Sequence, residues 1–375
     1  MNKITTKKIP VSQMPNGETL SVKVIDIKGD NQGPSCYIQA SMHGAEHQGN
    51  ALIYHLLDYT ESHDIQGSLR IIPQANPLAI NTKIGNYTQG RFNPNTGHNW
   101  NRLYSNYTDN DPSIKKFAKK NINSSDELIR NNYKKLLLKL LNKEKVSTSS
   151  YGKNQNKYHN LILQGLAADF DIVLDLHTAG EATRYLYAPE YLSRRCEYLN
   201  FDHNIIINNI FNGAMDEAAF MPWVNLRTEF KKLDRDYKIP FESYTLELGS
   251  EEIISLEEGK KDSHKVLEYL YKKGIIRESG FIEPLKNQYK CHTDDFRSYY
   301  APNGGLYEYY AKPGEFLKKG DILAISMQLS NYGSKKQVIE EIRAKKDCII
   351  INHYKSSSVI EGSEIYQVME NYYTK

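Results

Sequence analysis

Cysteine is scarce in this chain. Four occur in 375 residues, Cys36, Cys196, Cys291 and Cys348, and no two form a C-x-x-C pair. That spacing excludes a cysteine-based zinc site and a thioredoxin-like redox motif, and it argues against a disulfide framework. A reducing compartment fits. No apolar run is long enough to span a bilayer, which excludes a membrane span. The first ten residues carry charge but no apolar core, so no secretory signal is read there and a cytoplasmic protein is expected. Net charge is also low, only +3. There is no dense Lys/Arg block with a groove-reading motif, so no nucleic-acid partner is expected. Nothing in the sequence bears on oligomeric state.

What remains is an ordinary globular composition, 39% hydrophobic and 25% charged. The length is large for one core and points to two domains. Residues 19–27 alternate apolar and polar and read as a half-buried strand near a sheet edge. Cys36 to Ala40 reads as a more buried strand. Asn50 to Tyr59 has helical spacing, and Leu69 to Asn76 reads as a strand ending near Pro73. Strand, helix and strand in this order predict a βαβ unit and a parallel or mixed sheet. Asn76 to Asn110 is mostly loop, long enough to suggest a functional segment. Asp111 to Asn142 turns helical, with Ser124-Ser-Asp-Glu127 supplying a cap and early acids. Lys143 to Asn156 reads as a polar surface connection, and Tyr158 to Phe170 as another helix. Asp171 to His177 is a short, nearly all-apolar run, as in a central strand. Phe241 to Gly249 is a second such strand, and Glu251 to Tyr271 is helical. From about Glu283 Gly and Pro punctuate short strands. The expectation is an α/β fold, a mixed but mostly parallel sheet flanked by helices (residues 1–282), with a smaller C-terminal β domain (residues 283–375).

Candidate chemistry collects at strand ends. His43 and Glu46, in Ser41-Met-His-Gly-Ala-Glu-His-Gln-Gly49, lie between a strand and a helix. Neutral imidazole and carboxylate are zinc donors, and a catalytic zinc takes three protein ligands with one position left open. The plainer alternative is a cap or a solvated pair. His47 is a competing ligand that its position aims differently. His177 ends a buried strand, where open α/β sheets place their sites. Asp175, two residues earlier, shares its face and could orient the imidazole. A buried Asp needs some partner, and a salt bridge to an arginine would serve as well. Glu247 repeats the pattern as a possible general base, the alternative being a strand-end ion pair. Arg91, Asn101 and Arg102 lie in the long loop, where guanidinium groups suit a substrate carboxylate or are merely solvated. Trp100 could pack that loop down. Arg184, Arg235, Tyr185 and Tyr187 are further pocket candidates with nothing to choose among them.

Taken together, H-G-A-E, then N-R in a loop, then D-L-H, then L-E-L-G resembles the succinylglutamate desuccinylase/aspartoacylase family, which is related in fold to the zinc carboxypeptidases. The match covers about residues 35–250. The resemblance implies one zinc ion held by His43, Glu46 and His177, with Glu247 as base and then acid. It implies Asn101 and Arg102 on a substrate carboxylate and Arg91 beside the scissile carbonyl. The implied reaction is hydrolysis of a small carboxylate-bearing amide such as an N-acyl amino acid. The sequence departs from the pattern at Asn99-Trp100, where the family often has Asp-Leu. Residues 301–323 also resemble the barrel-like sandwich of biotinyl and lipoyl carriers, but no lysine sits in a modification motif. A β domain that narrows the catalytic mouth is the simpler expectation. Two other readings use the same residues: a zinc carboxypeptidase acting on a peptide or cell-wall fragment, and a non-catalytic binding protein of the same fold.

Overall fold

The computed structural model describes residues 2–29, 33–285 and 287–374. The centre of the fold is one ten-stranded sheet. In chain order its longer strands are β1 (Lys3–Gln13), β2 (Thr19–Lys28), β3 (Ser35–Ala40), β4 (Ser68–Ile72), β5 (Ile172–Ala179), β6 (Arg184–Pro189), β7 (His203–Ile207), β8 (Glu242–Ser250) and β9 (Tyr289–His292). Their spatial order is β1-β2-β4-β3-β5-β8-β6-β7-β9, and the two-residue strand Tyr373–Thr374 follows β9. The middle of the sheet, β4-β3-β5-β8, is parallel throughout. The mixed, mostly parallel α/β sheet expected from the sequence is what forms. Two pieces from beyond residue 283, β9 and Tyr373–Thr374, extend it.

Among the described residues, six helices of eight or more residues flank the sheet: α1 (Gln48–Ser62), α2 (Pro112–Lys120), α3 (Asp126–Thr148), α4 (Gln155–Ala167), α5 (Met215–Lys231) and α6 (Leu256–Lys272). One apolar core lies under α1 and α6, where Ile38, Leu174, Leu176 and Leu246 meet Leu52, Leu56, Val266 and Leu270. The other lies under α3, α4 and α5, where Tyr37 and Val173 meet Leu137, Leu163 and Trp223. Side chains alternate faces along a strand. Residues 36, 38 and 40 of β3 and 172, 174 and 176 of β5 therefore fill the first core. Gln39, Asp175 and His177 are left for the α4–α5 side.

Several elements differ from the sequence reading. β1 was not anticipated: nearly all of it is exposed, so it has no two-residue apolar period, and its ladder to β2 holds it. α3 runs on to Thr148, through residues expected to be surface connection, because no Gly or Pro interrupts its good helix formers. α6 starts only at Leu256, where the Ser255 side chain caps it. α5 was not anticipated either. It is buried over most of its surface, lacks a polar stripe and contains Pro222.

The C-terminal strands are β10 (Phe296–Tyr300), β11 (Gly305–Tyr309), β12 (Ile322–Met327), β13 (Ile339–Arg343), β14 (Cys348–His353) and β15 (Glu364–Met369). They form two small antiparallel sheets with their own core of Tyr307, Leu323, Ile350 and Val368. Asn352 and His353 of β14 also pair with Ala182 and Glu181, just past β5. The β region is thereby fastened to the ten-stranded sheet beside the C-terminal end of β5. The four cysteines are free and buried. Among the described residues no helix is long and apolar enough to cross a membrane.

Candidate metal centre and cavity

The parallel strands β3, β5 and β8 end side by side, and the chemistry sits at those ends. After Ala40 the chain turns through Ser41, a non-glycine residue with φ of 57°. The turn carries His43 and Glu46 back over the sheet and enters α1. It is pressed against the long loop. A side chain at Gly44 would meet the Ala79 carbonyl oxygen at 2.2 Å, and one at Gly90 would meet the Gly44 Cα at 2.4 Å. Only glycine allows backbones this close.

His43, Glu46 and His177 are all buried and offer donor atoms within 4.8 Å of one another, so they can hold a metal ion. Glu46 stands between the rings. Its Oε1 is 2.8 Å from His43 Nδ1, and its Oε2 is 2.7 Å from His177 Nδ1. The far nitrogens settle the protonation. Asn99 Oδ1 accepts the Asn101 backbone N–H at 2.8 Å, which fixes that atom as oxygen, and it lies 2.9 Å from His43 Nε2. His43 therefore donates from Nε2 and presents a lone pair at Nδ1. His177 Nε2 likewise donates to Asp175 Oδ2 at 2.9 Å. Asp175 is oriented in turn: its Oδ1 accepts from Gln39 Nε2 at 2.8 Å, and Gln39 Oε1 accepts from the Tyr37 hydroxyl at 2.7 Å. No arginine is needed to keep this aspartate buried. Two imidazole lone pairs and a carboxylate converging on one point, each ring held from behind, is a donor set that fits a metal.

The electrostatics describe the same site without a metal, where a proton on His177 balances the carboxylates and must leave its Nδ1 before that ring can ligate. Burial opposes ionisation of Glu46, but His43 and His177 outweigh it and hold the carboxyl well below the usual range. Burial likewise opposes charge on His177, yet Asp175 and Glu46 push its pKa well above the ordinary imidazole value. The space between these carboxylates favours positive charge.

A cavity of about 650 Å³ opens over the triad. Two cross-strand rows underlie it, and all of their residues but Asp175 line it. His177, Glu247 and Tyr185 are register partners on β5, β8 and β6, and Asp175, Thr245 and Tyr187 form the next row. Glu247 is buried, and among the described residues its Oε2 has no hydrogen-bond partner. Burial pushes its pKa up to about 8, against the pull of His177. β14 and β15 supply the opposite wall through Asn352, His353, Glu364 and Gln367.

The loop residues arrive as a group. Arg91 Nη1 lies 3.3 Å from Glu46 Oε1, with its side chain 49% exposed at the cavity. Asn101 Nδ2 lies 3.3 Å from His177 Nε2, a nitrogen already committed to Asp175, while Asn101 Oδ1 accepts from the Met215 N–H at the start of α5. Arg102 is exposed, lines the cavity, and donates to the Asn101 carbonyl at 2.7 Å. Trp100 is fully buried and anchors the loop, its carbonyl accepting from Asn160 Nδ2 at 3.1 Å.

Of the remaining candidates, Tyr185 and Tyr187 line the cavity. Arg184 is bound to Asp262 at 2.7 Å, and Arg235 to Asp126 and the carbonyls of residues 121, 122 and 124. His47 is the N-cap position of α1 and lies 3.8 Å from Glu252, outside the triad. Sequence reasoning missed three residues. Asn99 had been seen only as a departure from a pattern, yet it orients His43. Gln39 was hidden in an apolar run. Asp216 of α5 lines the cavity almost fully buried.

His159 beneath Trp100 carries a stability prediction. Its Nε2 donates to the Ala75 carbonyl at 2.7 Å, and burial pushes its pKa from 6.5 down to about 4, against that hydrogen bond. Below pH 6.5 the unfolded chain therefore takes up a proton that the folded chain refuses. Its contribution is lost as pH falls from about 6.5 toward 4, by about 3 kcal/mol in full. His159→Gln should show a shallower fall in unfolding free energy between pH 7 and 4.5. Parallel slopes for the two proteins would remove His159 as the source.

The comparisons with known proteins follow the same lines. Residues 32–270 match the family model for the succinylglutamate desuccinylase/aspartoacylase catalytic domain. A crystal structure of a succinylglutamate desuccinylase/aspartoacylase family protein from Shewanella amazonensis SB2B is 35% identical with a TM-score of 0.93, covering 99% of this chain and 100% of that one. Another from Shewanella frigidimarina NCIMB 400 is 35% identical with a TM-score of 0.93, covering 100% of this chain and 99% of that one. A product-bound ectoine utilization protein from Ruegeria pomeroyi shares the fold at 16% identity and a TM-score of 0.67, covering 98% of this chain and 94% of that one. No curated protein sequence matches. By sequence, fold and full-length coverage, this chain belongs to the succinylglutamate desuccinylase/aspartoacylase family.

Proposed function

We propose that the chain is a zinc-dependent hydrolase that cleaves the amide bond of a small, carboxylate-bearing N-acyl amine, releasing a carboxylic acid and an amino acid. The observation that carries this reading is the convergence of His43 Nδ1 and His177 Nδ1 on Glu46, with the unpartnered Oε2 of buried Glu247 in the same cavity. Two imidazoles and a carboxylate suit zinc. When bound, zinc supplies Lewis acidity: it makes water acidic near neutral pH and draws charge from an amide carbonyl. Glu247 takes the proton of the attacking water and later gives it to the leaving nitrogen. Arg91 faces the negative charge that develops on the carbonyl oxygen, a kind of stabilisation worth several kcal/mol (about 3). Arg102, with the amide of Asn101, holds the substrate carboxylate so that the scissile bond lies over the triad.

The cavity size supports a small amide over a peptide. About 650 Å³ is the volume of a small-molecule site, and β14 and β15 wall it off. The test is a hydrolysis screen of zinc-loaded protein against N-acyl amino acids and short peptides. Turnover of N-acyl amino acids is expected. Turnover confined to peptides would replace this reading with that of a carboxypeptidase.

A further inference from the structure

The triad and the arginine loop account for one side of the cavity. The other side has a different character. Asp216 at the start of α5, only 3% exposed, and Glu364 on β15 both line the cavity with Tyr187. The charged groups acting most strongly on Tyr187 are Glu247, Glu364 and Asp216, all acidic. The Tyr185 and Tyr187 rings stand edge to face, centroids 5.5 Å apart. Glu217 lines the cavity too, but its carboxylate accepts from the Asn212 and Ala214 N–H groups and is consumed in capping α5. Carboxylates beside tyrosine faces are the surroundings an organic cation finds favourable. Thr178, 2% exposed and outside the mechanism, lines the same cavity, and its Oγ1 lacks any hydrogen-bond partner among the described residues. Asp216 accepts the Glu217 backbone N–H at 2.9 Å, and Glu364 accepts the Ser298 hydroxyl.

We infer that the substrate arm beyond the α-carboxylate carries a cationic nitrogen, an ammonium or guanidinium, that docks against Asp216, Glu364 and the tyrosine pair. This rests on the amide-hydrolase reading and names its substrate class. Arg102, with the amide of Asn101, takes the single α-carboxylate. A second carboxylate on the arm, as in an N-acyl glutamate, would face buried Asp216 and the exposed Glu364, and like charges repel. The near-neutral pKa of Asp216, raised to about 7 by burial and by Glu217 and Asp175, is consistent with a carboxyl that lacks a cationic partner.

The experiment compares three arms of similar length on the full-length, zinc-loaded protein: Nα-acetyl-ornithine, N-acetyl-glutamine and N-acetyl-glutamate. kcat/KM should fall in that order, by about tenfold or more from the first to the last. Asp216→Asn and Glu364→Gln should each shrink the ornithine-to-glutamine ratio, mainly through KM. Binding of free ornithine, glutamine and glutamate, measured by calorimetry, reads the same preference without turnover. Glutamate bound or cleaved as well as ornithine overturns the inference, as does a ratio that neither substitution moves. If no amide is cleaved but ornithine still binds best, the hydrolase reading fails and the cation pocket stands.

Discussion

Replacing Glu247 with glutamine is expected to lower kcat by about 10²–10⁴-fold, the usual share of a positioned proton-transfer group, while zinc content stays near one per chain. The substitution keeps shape and removes only the ability to take a proton. It should fold well, because the native Oε2 has no hydrogen-bond partner to lose among the described residues and a neutral amide relieves the cost of burying charge. Glu247 is the right group to test because its row places it beside His177 and the triad, and its affinity for a proton is already raised. Metal analysis and single-turnover rates measure the two halves separately. Full turnover in the glutamine variant would remove Glu247 from the base role. Loss of zinc together with activity would make it a support of the metal site.

The second large effect is on the metal itself. His43→Ala should abolish stoichiometric zinc binding and with it activity, and should cancel the rise in melting temperature that zinc gives the unaltered protein. A ligand that binds only the folded state stabilises it by about 4 kcal/mol at a thousandfold excess over Kd. His43 is a better probe than His177. Its far nitrogen meets the neutral amide of Asn99, and Glu46 keeps His177 and Arg91 when it is gone. Deleting His177 would strip Glu46 and Asp175 of a shared partner at once, and an orphaned buried charge costs about 3–5 kcal/mol. Unfolding of a His177 variant would therefore say nothing about metal. A His43→Ala protein that still binds one zinc tightly would remove His43 from the ligand set.

Much of this site was legible in the sequence because its donors end strands with strong apolar signals. Asp171 to His177 and Phe241 to Gly249 could hardly be anything but central strands, and a strand's two-residue period puts Asp175 with His177. The βαβ unit around His43 and Glu46 was legible for the same reason. Less was legible where a residue's role depends on contacts far along the chain. Asn99 looks like any loop asparagine until folding sets it 2.9 Å from His43. Asp216 begins a helix with no polar stripe, so neither the helix nor its buried acid gave a periodic signal. Choosing Tyr185 and Tyr187 over Arg184 and Arg235 required β6 to lie antiparallel against β8, a pairing that local pattern does not encode. The β region announced its strands but not its partner, the short Glu181–Ala182 segment.

That last pairing has a kinetic consequence. Asn352 and His353 meet residues 182 and 181 across a very long stretch of chain, and long-range pairings form late because loop closure must be met first. The metal centre meets the same demand, since His177 lies 131 residues from Glu46. Triad and outer wall each wait on a long-range closure, so zinc binding and discrimination between substrates are expected to mature together during refolding.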